Sequence, residues 1–147
     1  MTAQQLGLID EWQADRGQPN PPGALWWFLA RSPDGMRAVG KLGAFARMQS
    51  GLPEDLRVVA VLSVATQRGY AFEIGLQRAN LERLGMPAEK IEAIQARRFD
   101  ALPEPAADVA RFAYAIADTG RAPADRIAAV RAHLDDEHAR PTAPAGP

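Results

Sequence analysis

The chain has 147 residues, a formal net charge of −1 and no cysteine. This length predicts a single domain with one hydrophobic core. The lack of cysteine excludes disulfides, thiolate metal sites and thiol peroxidase or redox dithiol chemistry. The nearly balanced charge argues against a nucleic-acid partner or an anionic membrane surface, because both favour a basic excess.

No apolar run approaches the ~20 residues that a membrane-spanning helix needs. Residues 1–5 lack the basic start and the apolar stretch of a signal peptide. We therefore expect a cytoplasmic protein with no membrane partner.

Proline and glycine divide the chain into helical segments, and strand-type alternation of apolar and polar residues is absent. Proline precedes acidic residues in typical helix starts, and glycine stands where helices should stop. These signals predict an all-α fold with helices at 3–15, 22–31, 34–49, 53–68, 70–84, 87–98, 104–118 and 123–134. We expect residues 1–136 to form one domain and the Pro/Ala-rich residues 137–147 to be a disordered tail.

Three consecutive aromatic residues, Trp26, Trp27 and Phe28, lie in the second predicted helix. A helix cannot bury all three on one face, so at least one should line a groove or an interface. One interpretation is ordinary packing at a helix junction. The other is that Trp26 or Trp27 forms the wall of a pocket for an apolar or aromatic ligand.

The predicted helix 53–68 has little polar face, which indicates a buried central helix. We expect it to form an antiparallel pair with helix 70–84 at the centre of a bundle. Its two arginines, Arg57 and Arg68, are eleven residues apart and project to nearly the same side at ~100° per residue.

Helix 70–84 carries the candidate chemistry. Glu73, Gln77 and Asn80 fall inside its apolar arc, and Tyr70 lies at the edge of that arc. A carboxylate that faces a core must be hydrogen-bonded, paired or protonated, and a carboxyl with a raised pKa is a good general acid or base. The alternative is a structural ion pair between Glu73 and Arg57 or Arg68.

The two histidines, His133 and His138, lie in a polar run with acidic residues. No third ligand converges on His133 and Glu137 in the sequence pattern, so we predict a solvated helix end and no metal site.

Several stretches resemble the carboxymuconolactone decarboxylase family, which includes the alkylhydroperoxidase-D-like proteins. The resemblance covers residues 22–130 and is carried by ALWWFLARSP (24–33), LPEDLR (52–57), VLSVAT (61–66), YAFEIGLQ (70–77) and LGMP (84–87). It implies a helical bundle of the alkylhydroperoxidase-D-like type and a homo-oligomer, a trimer or a multiple of one.

The chain departs from the family at its catalytic positions. Tyr70, Glu73 and Gln77 stand where the peroxidase branch has two cysteines and a histidine. The decarboxylase branch keeps a glutamate, matched by Glu73, but has a histidine where this chain has Gln77. Because an amide cannot titrate, Gln77 can hold a substrate oxygen but cannot shuttle protons.

The resemblance therefore implies a lyase or isomerase without cofactor, acting by acid–base chemistry on a small carboxylated or lactone-like metabolite. Decarboxylation, isomerisation and cyclisation are the reactions it suggests, in a specialised biosynthetic pathway. Glu73 would be the catalytic residue. Six residues are candidates for binding the substrate: Arg57 or Arg68 on an oxygen, Tyr70 and Gln77 as orienting groups, and Trp26 or Trp27 closing the pocket. The alternative is a non-catalytic binding or scaffold protein of the same fold.

Overall fold

The structure, a computed structural model, describes residues 2–16, 24–46 and 50–134. These residues form helices with no strand, which confirms the predicted all-α class. The helices are α1 (Ala3–Arg16), α2 (Ala24–Leu29), α3 (Pro33–Ala44), α4 (Glu54–Arg68), α5 (Ala71–Arg83), α6 (Ala88–Gln95), a 3-10 helix (Phe99–Ala101), α7 (Ala106–Thr119) and α8 (Ala124–His133). Within the described ranges, no helix has both the length and the hydropathy to cross a membrane.

The chain divides into two compact units, Met1–Gln49 and Ser50–Pro147. Helices α1 to α3 belong to the N-terminal unit, and α4 to α8 belong to the C-terminal unit. The expectation of one domain over residues 1–136 stays a prediction. The predicted tail at 137–147 lies outside the described residues.

The N-terminal unit has a small core of its own. Leu8 and Ile9 of α1 are buried together with Ala30 and Met36. The aromatic residues of α2 divide as their consecutive positions require: Trp26 and Trp27 pack against this core, whereas the side chain of Phe28 is 70% exposed.

Helix α4 is the centre of the C-terminal unit. Its buried face is apolar and includes Val59 and Leu62, both of which are fully enclosed. It packs more extensively on α7 than on α5. The small side chains on the buried face of α7 allow the two backbones to approach closely: Ala106, Ala107, Ala110, Ala113 and Ala117. Helix α4 is therefore packed between two helices, since α7 covers it as well as its predicted partner α5.

Helices α4 and α5 are antiparallel, as predicted. Gly69 ends α4 in the left-handed conformation, at φ 69°, which glycine adopts without a steric penalty. At the far end of the pair, Arg83 of α5 reaches back to Glu54 of α4 with an N–O distance of 2.7 Å. Only Gln77 and Leu81 of α5 are buried, so most of this helix is accessible.

Candidate functional site

A ladder of three polar side chains runs along one face of α5. Gln77 Nε2 donates a hydrogen bond to Glu73 Oε1 at 2.7 Å. Asn80 Nδ2 in turn donates to Gln77 Oε1 at 3.2 Å. The spacings of four and three residues place these side chains on the same face of a helix. The polar ladder, Glu73–Gln77–Asn80, is therefore a local consequence of the sequence pattern.

The ladder orients the carboxylate of Glu73. Because Gln77 accepts from Asn80 through its amide oxygen, its amide nitrogen is turned towards Glu73. Gln77 is only 9% exposed, so its amide is held in a closed environment. Glu73 is half-buried and is the one member of the ladder that can gain or lose a proton.

An open pocket of about 340 Å³ lies where α4 faces the start of α5. Among the described residues its lining contains one charged side chain, that of Glu73, together with Val61, Val64, Ala65, Tyr70 and Phe72. The volume is at the lower end of the range for small-molecule sites, and an apolar lining with few polar groups is typical of them. The pocket can hold a small apolar molecule against one carboxylate.

The predicted arginines are not brought to Glu73. Arg57 lies 4.0 Å from Glu54, one turn earlier on α4, and Glu54 also binds Arg83. Arg68 is exposed, and neither arginine is in the pocket lining. The hypothesis of an ion pair between Glu73 and Arg57 or Arg68 is therefore wrong. A carboxylate on its own helix is available to Arg57, and an amide on α5 satisfies Glu73.

Tyr70 and Phe72 contribute the aromatic part of the pocket. Tyr70 immediately precedes α5 and is 59% exposed, and Phe72 is 80% exposed. The sequence pattern places Tyr70 at the edge of the apolar arc, in agreement with its position in the lining. It does not single out Phe72, Val61 or Val64. The helical period could have identified Val61 and Val64, because it places them on the same side of α4 as Arg57 and Arg68.

Trp26 and Trp27 belong to the N-terminal unit. Both are half-buried, and both pack against the core of that unit. This placement fits ordinary packing at a helix junction. Their proposed part in closing the pocket stays a prediction.

A second polar cluster joins the 3-10 helix, α7 and α8. Arg111 binds three carboxylates, those of Asp100, Glu104 and Asp108, and His133 Nε2 lies 3.3 Å from Asp108 Oδ2. Hydrogen bonding to Asp100, followed by bonds to Glu104 and Asp108, raises the pKa of the guanidinium against the opposing effect of burial. We interpret the cluster as an ion-pair network that ties these elements together.

The cluster also corrects the sequence-based prediction for His133. We expected no third ligand near it, but oxygen atoms of Glu104 and Asp108 and a ring nitrogen of His133 all lie within 4.8 Å of one another. Arg111 Nη1 lies 3.2 Å from Glu104 and 2.9 Å from Asp108, so a positive charge is already present between the two carboxylates. A metal ion placed there would have to share them with that guanidinium.

The chain was compared with protein-family models, curated proteins and solved structures, and nothing matches. The resemblance to the carboxymuconolactone decarboxylase family therefore stays a prediction from the quoted motifs.

Proposed function

We propose that this protein is a cofactor-independent acid–base enzyme, a lyase or isomerase of the carboxymuconolactone decarboxylase type, in which Glu73 moves the proton. The observation that supports the proposal is a single oriented carboxylate in the lining of an otherwise apolar pocket. A general acid or base must be fixed beside the reacting atoms, and the bond from Gln77 fixes this one.

The substrate lies in the pocket with its apolar part against Val61, Val64 and the two aromatic rings. Glu73 removes a proton from carbon or returns one, as isomerisation and carbon–carbon cyclisation require. Decarboxylation would in addition need a substrate carboxylate that leaves as CO2, after which Glu73 protonates the carbon. Tyr70 and Gln77 are the positioning residues. Since no cation is found in the pocket lining among the described residues, its chemistry favours the lactone-like class of substrate over the carboxylated class.

The family's histidine is replaced by an amide, and this changes how the proton leaves. Gln77 cannot relay a proton from Glu73. The pocket is open, however, so water can reach the half-buried carboxylate directly. We propose that solvent exchanges the proton of Glu73 without a side-chain relay.

We further propose a homo-oligomer, a trimer or a multiple of one. Tyr70, Phe72 and Leu76 present an exposed apolar surface around the start of α5. Such surfaces often mark protein–protein contacts.

A second candidate function is a non-catalytic binding protein of the same fold. The polar ladder favours it, since two of its three members are amides that cannot titrate. The two functions differ in one property: only an enzyme exchanges a carbon-bound proton of its ligand with solvent.

The experiment uses that difference. Small lactones and matched carboxylated compounds are incubated with the protein in deuterium oxide, and incorporation of deuterium at carbon is followed by NMR. We expect incorporation with at least one lactone, and its loss in Glu73→Gln. The matched control is Glu82→Gln, an exposed glutamate of α5 outside the pocket lining, which should behave as the wild type. Equal incorporation by Glu73→Gln and wild type would reject the proposal.

A further inference from the structure

The two oxygen atoms of Glu73 differ in their surroundings. Oε1 accepts the hydrogen bond from Gln77, whereas no described residue donates to Oε2. Glu73 lines the pocket, so an acceptor without a protein donor is present beside the ligand. An acceptor of this kind is best satisfied by a ligand that donates a hydrogen bond, and a charged donor binds it more strongly than a neutral one.

The charge in the described lining of the pocket is negative and belongs to Glu73. The remaining lining residues are aliphatic or aromatic, and Arg57 is not among them; its guanidinium lies 4.0 Å from the carboxylate of Glu54. An anionic ligand would meet the carboxylate of Glu73 without a compensating cation. Two like charges in contact repel each other, and they do so more strongly beside apolar groups than in water.

The aromatic residues of the pocket also favour a positively charged ligand. Tyr70 and Phe72 both line the pocket, and the faces of their rings carry negative potential. Aromatic faces attract ammonium groups at distances up to ~6 Å from the ring centre. A carboxylate and two aromatic rings therefore select for positive charge together.

We propose that this pocket also binds a small apolar amine, distinct from the lactone-like substrate. The ammonium group of the amine binds Glu73, and its apolar part packs against Val61, Val64 and the aromatic rings. The proposal rests on the proposed function in taking this pocket as the ligand site. It concerns the charge of the ligand and does not depend on turnover.

Three probes that share one apolar body test the proposal: phenethylamine, phenethyl alcohol and hydrocinnamate. Each is titrated into the full chain and binding is measured by calorimetry or by ligand-observed NMR. We expect the amine to bind about tenfold more tightly than the alcohol, a difference within the range of an ammonium group that gains both a carboxylate and an aromatic face. Hydrocinnamate should bind more weakly than the alcohol.

Two variants assign the selectivity to Glu73. In Glu73→Gln the preference for the amine over the alcohol should disappear, with the alcohol's affinity unchanged, because shape and hydrogen bonding are kept. Glu82→Gln should retain the full preference. Binding of hydrocinnamate equal to that of the amine, an unchanged preference in Glu73→Gln, or no binding of any probe would overturn the proposal.

The outcome is separable from that of the proposed function. Amine binding that depends on Glu73, without deuterium incorporation into any ligand, would support the amine pocket and reject the enzyme. Incorporation into a lactone that is lost in Glu73→Gln, with no preference for the amine, would support the enzyme and reject the amine pocket.

Discussion

Gln77 Nε2 lies 2.7 Å from Glu73 Oε1, one helical turn along α5. The contact joins a carboxylate to a neutral amide, at the position where the decarboxylase family proposed for this chain would have a histidine. A histidine could take the proton from Glu73, whereas the amide can only orient it. The consequences for stability and turnover can be measured separately.

Replacing Gln77 by methionine should lower both stability and turnover. Methionine has a similar length, but it neither donates to Glu73 nor accepts from Asn80. Leaving these partly buried groups without a partner costs about 1–3 kcal/mol of unfolding free energy. Denaturant unfolding measures this loss. Gln95→Met, which removes a hydrogen bond with Arg78 outside the pocket lining, is the control and should leave turnover unchanged. Normal turnover in Gln77→Met would show that the amide does not position Glu73.

Replacing Arg111 by methionine should destabilise the C-terminal unit by about 1 kcal/mol, because Asp108 loses its cation, whereas the bonds to the exposed Asp100 and Glu104 are screened by water and contribute little. The part of the loss that comes from the raised pKa of Arg111 should be equal at mildly acidic and mildly alkaline pH. A raised pKa in a base adds stability that is fully present below the ordinary pKa and is lost only as the pH rises through the raised value. For arginine both values lie above the range in which proteins are handled. Thermal unfolding at ~pH 6 and ~pH 9 makes the comparison. An unchanged melting temperature would show that the network adds nothing to the fold.

Light scattering should give the mass of a trimer, or of a multiple of a trimer, of the 15.9 kDa chain. Leu76 of α5 is 45% exposed, so Leu76→Glu should retain the helical circular dichroism and lower the mass to that of one chain. Ile127→Glu, at an exposed apolar position of α8, is the matched control and should leave the mass unchanged. A mass of 15.9 kDa for the wild type at all concentrations would reject the oligomer.

Most helix boundaries could be predicted from local signals. Glycines 51, 69, 85 and 120 all have positive φ at the ends expected for helices. The helices predicted at 34–49 and 87–98 are exceptions, since α3 ends at Ala44 and α6 ends at Gln95. Arg97 has a φ of 60°, and the chain then enters the 3-10 helix. A non-glycine residue in that conformation leaves no clear sequence signal.

The part of the candidate site that lies within one helix could be predicted from the sequence, and the part that depends on other elements could not. The polar ladder depends on spacing within one helix, so the helical period places Glu73 and Gln77 together. The partners of Arg57 and Arg111 depend on which carboxylates the fold brings near, and a single-helix pattern does not contain that information. The side chain of Phe72 is apolar yet 80% exposed, because the apolar residues of α5 are spread too widely to define one buried face.

The most direct test of Glu73 as the catalytic residue is Glu73→Gln, measured for both stability and turnover. Glutamine keeps the shape and can still accept from Gln77, and no ion pair of Glu73 is lost among the described residues. The melting temperature should therefore change little. Turnover, followed as deuterium incorporation, should fall by ~10²–10⁴, the usual contribution of general acid–base catalysis. A variant that melts much earlier yet turns over at the wild-type rate would contradict the catalytic role and leave Glu73 a structural residue.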